Sequence, residues 1–230
     1  MYLYGASGHG KVIKEILEGS GRKVDGFIDD NPNACFLSGL PVLHSISKAD
    51  EVIVSIGSNR IRREIAERIG EKVAGAVIHT SAIISDTASI GNGSVVMAGT
   101  VVNADAIIGQ HCIINTGATV DHECQIRDYV HIAPGVHLCG QVQIGEGTLI
   151  GVGSSVIPCV KIGCWCVIGA GSVVVNDIPD GYLAYGNPCK LVKLINEDMI
   201  GNVKNLKSGG GKSYNLNSPT ANSRERRLAA

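Results

Sequence analysis

The sequence predicts a parallel β-helix behind a small α/β domain, and three observations carry that expectation. From Ile78 to Val174 every sixth residue is aliphatic, beginning Ile78, Ile84, Ile90 and ending Ile162, Ile168, Val174. Four residues after each aliphatic site, from Ala88 to Ser172, stands a small or β-branched residue in the same phase. Residues 1–77 lack this period and alternate short apolar runs with turns and helical spacing. A period of six fits neither the apolar face of an α-helix nor the two-residue alternation of an ordinary strand. It fits one short strand and one turn per repeat, three repeats closing a triangular coil. Residues three repeats apart then stack, and the run makes about five and a half coils, a prism about 25 Å tall at the spacing of neighbouring strands.

The elements follow in order. Tyr2–Tyr4 reads as a strand that enters the turn Gly5-Ala-Ser-Gly-His-Gly10. Lys11 to Glu18 reads as a helix, with Val12, Ile13, Ile16 and Leu17 on its apolar side. Lys23–Ile28 is a second strand, ending at Asp29 and Asp30. Glu51–Ile56 is a third, followed by Gly57, Ser58 and Asn59, with Asn59 as cap of a helix carrying Ile61, Ile65 and Ile69. Val73–Ile78 is a fourth strand leading into the coil. Strand, turn and helix in alternation argue a small parallel, Rossmann-like sheet over residues 1–77. The coil occupies 78–178. Residues 179–200 read as loops and a short helix from Lys190 to about Met199. Residues 201–230, rich in glycine, serine, asparagine and charge, read as a disordered tail.

Net charge is −1 and the pI about 6.6. No basic stripe suggests nucleic acid and no apolar run is long enough for a membrane span. Met1-Tyr-Leu-Tyr runs straight into glycine, so no secretory signal is read, and the expected location is the cytoplasm. Of the eight cysteines, Cys112, Cys124 and Cys166 occupy the small inward register, and none forms a paired C-x-x-C motif. Reduced thiols are expected.

Gly5, Gly8 and Gly10 space the first turn as G-x-x-G-x-G, which is neither the dinucleotide fingerprint nor a phosphate-binding P-loop. The amides of a helix start suit a pyrophosphate, yet a tight strand-to-helix turn accounts for the same glycines. Asp29 and Asp30 stand where such folds meet a ribose or base, and also where a solvated turn would be acidic. His79, His111, His122, His131 and His137 lie in or beside the coil. His122, within Asp121-His122-Glu123, falls at a corner, where a neighbouring carboxylate would orient it for general-base work. On the triplet alone, a surface histidine is the better reading. No two of the five stack directly, so no metal is expected.

The strings Tyr4-Gly-Ala-Ser-Gly-His-Gly-Lys11, Phe27-Ile-Asp-Asp30, Ser55-Ile-Gly-Ser-Asn-Arg-Ile-Arg62, Asn115-Thr116, His122-Glu-Cys124, His131, Cys139-Gly140 and Gly186-Asn-Pro188 carry a resemblance. Over residues 1 to about 193 the chain resembles the sialic acid O-acetyltransferase and UDP-amino-sugar N-acetyltransferase group of hexapeptide-repeat acyltransferases. It is nearest to the bacillosamine-type, PglD-like branch. The resemblance implies a left-handed coil, a homotrimer, acetyl-CoA as cosubstrate and a UDP-linked amino sugar as acceptor. It implies that Ser7, Gly8, His9 and Gly10 meet the diphosphate and sugar, and that Asp29, Asp30, Gly57 and Asn59 surround uridine. Asn115 would place the acceptor sugar. His122 would be the general base with Glu123 as partner. His131 would contact the acetyl thioester, and Gly140 and Ala170 would offer backbone to the cofactor. Ser58 and Ala170 depart from the group's usual small residues.

The expected reaction is direct attack of the sugar amine on acetyl-CoA. Cys139 has no activating base beside it in sequence, so no acyl-enzyme is expected. O-acetylation of sialic acid is the alternative within the class. A non-catalytic nucleotide-sugar-binding protein is the alternative outside it.

Overall fold

The computed structural model describes residues 1–195, without the side chain of Lys48. The N-terminal sheet has the order β3-β4-β2-β1-β5. Here β1 is Tyr2–Tyr4, β2 Gly26–Ile28, β3 Phe36–Leu37, β4 Leu40–Leu43 and β5 Val52–Val54. All pairs are parallel except the β3–β4 hairpin. Helix α1 (Gly8–Gly19) follows β1 and buries Ile13, Ile16 and Leu17; α2 (Asn59–Ile69) follows β5 and buries Ile65, Ala66 and Ile69.

Several expectations for this domain need correction, among them the third strand, which is confined to Val52–Val54. The second strand is confined to Gly26–Ile28. The fourth shrinks to Val77–Ile78, which pairs with Val95–Val96 of the coil, while Val73 makes only an isolated bridge to Val52. The β3–β4 hairpin was not foreseen; it turns through Ser38 and Gly39, both at positive φ.

From Val77 the chain winds through two-residue strands onto three faces. Face one holds Val77–Ile78, Val95–Val96, Ile113–Ile114, His131–Ile132, Leu149–Ile150 and Val167–Ile168. Face two runs from Ile83–Ile84 through Thr119–Val120 to Val173–Val174. Face three runs from Ser89–Ile90 through Gln125–Ile126 to Lys161–Ile162. Each strand pairs in parallel with the strand 18 residues on, as Ile114 with Ile132. The second residue of each strand points inward, and from Val96 to Val174 these side chains are almost fully buried. At about 25 cal/mol per Å² of apolar surface, each buried isoleucine contributes roughly 2 kcal/mol.

The small inward register closes the corners. At several polar positions the side chain donates to a carbonyl 15 residues on: Ser94 Oγ to Gly109 O at 2.7 Å, Thr148 Oγ1 to Gly163 O at 2.7 Å, Cys124 Sγ to Cys139 O at 3.1 Å. Burial pushes the Cys112 and Cys124 thiols up, to about 12 and about 11. All eight cysteines are free.

The helix expected from Lys190 is a strand. Tyr182–Tyr185 extends face one in parallel beside Val167–Ile168, and Lys190–Leu194 folds back on it antiparallel. Every residue of Lys190–Leu194 is exposed. A helix there would bury no face, whereas the strand satisfies the open edge of face one. The rest of that expected helix and the expected tail lie outside the described residues. Among the described residues no helix is long and apolar enough to cross a membrane.

Candidate functional site

The N-terminal domain docks on face one. Its core residues Leu3, Ile13, Phe27 and Ile53 pack in one cluster with Val77, Val95 and Ile113, the outward side chains of the lower coils. Helix α2 lies along the corner between faces three and one, where Arg62 is buried with no carboxylate partner among the described residues. Its Nε donates to His111 O at 2.7 Å and its Nη2 to Tyr129 O and Asn59 Oδ1, both at 2.8 Å. Its Nη1 reaches Ile56 O and Gly57 O. Asn59 Nδ2 donates to Gly147 O at 2.9 Å. His111, Tyr129 and Gly147 are the same corner of three successive coils, so this pair clamps the domain onto the prism. Ser58, not Asn59, stands at the cap position, and the Asn59 amide faces the joint rather than a ligand.

Beside the docked core, polar groups of the two domains come together, His131 of the coil near His9 and Gly57 of the N-terminal domain. Asn115 Oδ1 accepts from Thr116 N at 2.8 Å, which turns Asn115 Nδ2 toward His131 Nε2 at 3.2 Å. His131 therefore accepts on Nε2 and carries its proton on Nδ1. Burial, then the Arg62 charge, then His9 push His131 down to about 3. Burial and Arg62 push His9 down to about 4. Among the described residues His9 Nε2 is buried without a hydrogen-bond partner. Both imidazoles are neutral near pH 7.

The first turn of α1 opens toward solvent. Ser7 and Gly8 are exposed, the Ser7 side chain caps nothing, and no acid stands in the first turn. The helix start thus offers unpaired amides to an anion. Gly10 serves packing instead. A Cβ on it would meet Gly5 O at 2.6 Å and Phe27 Cε1 at 3.0 Å, so it lets α1 close against β1 and β2. Asp29 and Asp30 are likewise engaged. Asp29 accepts from Ala6 N and Asn31 N at 2.8 and 2.9 Å, tying the two turns together. Asp30 accepts from Tyr4 Oη and Arg68 Nη2.

His122 lies elsewhere, in the corner between faces two and three. Its Nδ1 meets Glu123 Oε2 at 3.1 Å, which leaves Nε2 to accept a proton. Both side chains are about half exposed, 54% and 53%. The imidazole lies over Gly140 of the next coil; a Cβ there would meet His122 Cε1 and Nε2 at 2.5 Å. In a triangular prism this corner is opposite face one. Within one chain, His122, Glu123 and Gly140 are therefore separated from His9, Gly57, Asn115 and His131 by the prism itself. Ala170 sits at a third place, the corner between faces one and two, three coils above Thr116.

A concavity of about 580 Å³ lies between α2 and the upper coils, lined by Arg60, Arg63, Glu64, Trp165 and Asp180 among others. None of the expected site residues lines it. Arg62 was missed as a joint residue, although it shares the buried stripe of α2 with Ile65, Ala66 and Ile69.

Fold and comparison together define a two-domain hexapeptide acyltransferase. Residues 1–69 match the PglD N-terminal domain and residues 87–122 the bacterial transferase hexapeptide family. A histidine-to-asparagine variant of perosamine N-acetyltransferase from Caulobacter crescentus, solved with CoA and GDP-perosamine, is 37% identical, with a TM-score of 0.80 over 84% of this chain and 96% of that one. The acetyltransferase domain of PglB from Neisseria gonorrhoeae, solved with acetyl coenzyme A, is 38% identical over 83% and 98%, with a TM-score of 0.78. UDP-N-acetylbacillosamine N-acetyltransferase of Bacillus subtilis is 40% identical over 104 residues, and an uncharacterised mimivirus protein 34% over 99. These two curated matches span 48% and 20% of those proteins' lengths. The chain belongs to this family of acetyl-CoA-dependent sugar N-acetyltransferases, with the left-handed β-helix that its sequence resemblance implied.

Proposed function

We propose that this protein acetylates the 4-amino group of a UDP-linked amino-dideoxy sugar, with His122 as general base. The observation that carries the reading is the pairing of His122 Nδ1 with Glu123 in an open corner, above a glycine that leaves the ring room. The amine loses a proton as it attacks the thioester. His122 Nε2 takes that proton, and the Glu123 carboxylate stabilises the imidazolium. The Gly140 amide is the donor assigned to the tetrahedral oxyanion. The open start of α1 takes the diphosphate, and His9, Asn115 and His131 line the path from it.

Since the base is opposite the face that carries the N-terminal domain, the site is completed by a second copy of the chain. A homotrimer places three such sites between neighbours. The nucleotide partners of the relatives support the substrate class: a UDP sugar for the curated enzyme, GDP-perosamine for the solved one.

The test is thiol release from acetyl-CoA against a panel of 4-amino sugars, free and linked to UDP or GDP, with sialic acid included. Turnover of a UDP-linked amine in preference to the others supports the reading. Turnover of sialic acid alone, or nucleotide-sugar binding without acetyl transfer, contradicts it.

A further inference from the structure

The corner that carries His122 differs from the corner before it. Between faces one and two, the left-handed position of successive turns is glycine: Gly99, Gly117, Gly135, Gly153 and Gly171. Between faces two and three it is Asp105, Glu123, Gln141 and Cys159, with φ from 59 to 65°. A side chain there bears a backbone conformation that glycine adopts freely. The last three of these side chains also bond one another. Gln141 Nε2 donates to Glu123 Oε2 at 3.0 Å, the same oxygen that meets His122 Nδ1. Cys159 Sγ donates to Gln141 Oε1 at 3.2 Å, which leaves the amide nitrogen to face Glu123. From the coil below, Asn103 Nδ2 donates to Asp121 Oδ1, which also accepts from His122 N, both at 2.8 Å.

We propose that Gln141 is a positioning residue for the base. By donating to Glu123 it holds that carboxylate in the one rotamer that faces His122 Nδ1, and so fixes the tautomer and ring plane of the imidazole. An exposed glutamate has several rotamers, and burial orders neither Glu123 nor His122. The order comes from the ladder, one rung above and one below. The Gln141 donor, ahead of His122, also holds the Glu123 carboxyl below the usual range.

This inference rests on the reading of His122 as base, and the test separates the two. Gln141→Met keeps length and removes both polar ends. With the UDP-linked 4-amino sugar and acetyl-CoA, its kcat falls about fivefold, the worth of one orienting hydrogen bond, while both KM values hold within about twofold. In a Glu123→Ala background the same substitution has no further effect, because the carboxylate it serves is gone. Wild-type kcat in Gln141→Met, an equal loss in both backgrounds, or a raised KM for one substrate overturns the inference. Full turnover in His122→Ala instead overturns the base reading, whatever Gln141→Met does.

Discussion

Gly140→Ala separates the chemistry of the corner from its stability. The added Cβ would lie 2.5 Å from His122 Cε1 and Nε2. An ordinary carbon contact needs about 3.5 Å, so the ring must retreat by about 1 Å. Gly140 is not among the positive-φ residues, so alanine fits its backbone. His122 is exposed and can swing away, so the fold loses at most about 1 kcal/mol, a shift of about 2–4 °C in Tm. Catalysis loses far more. The Nδ1 to Glu123 bond starts at 3.1 Å and does not survive such a movement. A misplacement of about 1 Å at a reacting group costs about 10²-fold. Thiol release at saturating substrates should fall by about that factor, with KM for acetyl-CoA unchanged. A raised KM for acetyl-CoA with kcat intact would mean that the methyl meets the cofactor and that the His122 geometry is not what Gly140 protects. Unchanged kinetics would refute the reasoning.

Other outcomes follow from the same geometry. Gly10→Val destabilises the N-terminal domain, since its side chain meets Gly5 O and Phe27, so the phosphate site is better probed at Gly8, which has open space around it. Gly8→Asp should raise KM for the UDP-sugar at least about tenfold with Tm held, by placing an anion at the helix start. Arg62→Met leaves the carbonyls of His111 and Tyr129 buried and unpaired, and should cost about 3 kcal/mol or more in denaturant unfolding. His9, His111 and His131 are held neutral in the fold, down to about 4, 4 and 3, from an unfolded value of 6.5. The unfolded chain binds these protons first, so stability is full above pH 6.5 and falls as pH drops toward about 4. Thermal melts at pH 7.5 and 4.5 check the sign.

The coil is legible because its period is a direct consequence of the winding: each inward aliphatic must recur every six residues. The His122–Glu123 pair is adjacent in sequence, so it too is readable. Asn59 is not. Its place at a helix start suggests a cap or a ligand contact, and only the coil carbonyls of Gly147 and Thr148, to which its amide donates, show that it clamps two domains. Arg62 carries a signal, a cation at the spacing of the buried stripe Ile65, Ala66 and Ile69. Asp29 and Asp30 look like ligand contacts until Ala6 N, Tyr4 and Arg68 are seen to occupy them. Lys190–Leu194 shows the limit of local propensity: an open sheet edge, a tertiary feature, decides its conformation. The β3–β4 hairpin had its sign in Ser38-Gly39 between apolar pairs.

The central claim is that an amine held by the N-terminal domain of one copy is deprotonated by His122 of another. Mixing His122→Ala with Gly8→Asp, which at UDP-sugar levels well below the wild-type KM each keep about a tenth of wild-type turnover or less, tests it most directly after subunit exchange. Sites that pair an intact N-terminal domain with an intact corner then reappear in about a quarter of interfaces, and about a quarter of wild-type activity should return. If the mixture stays as inactive as its parts while light scattering shows that the subunits have exchanged, each site lies within one chain and the claim is wrong.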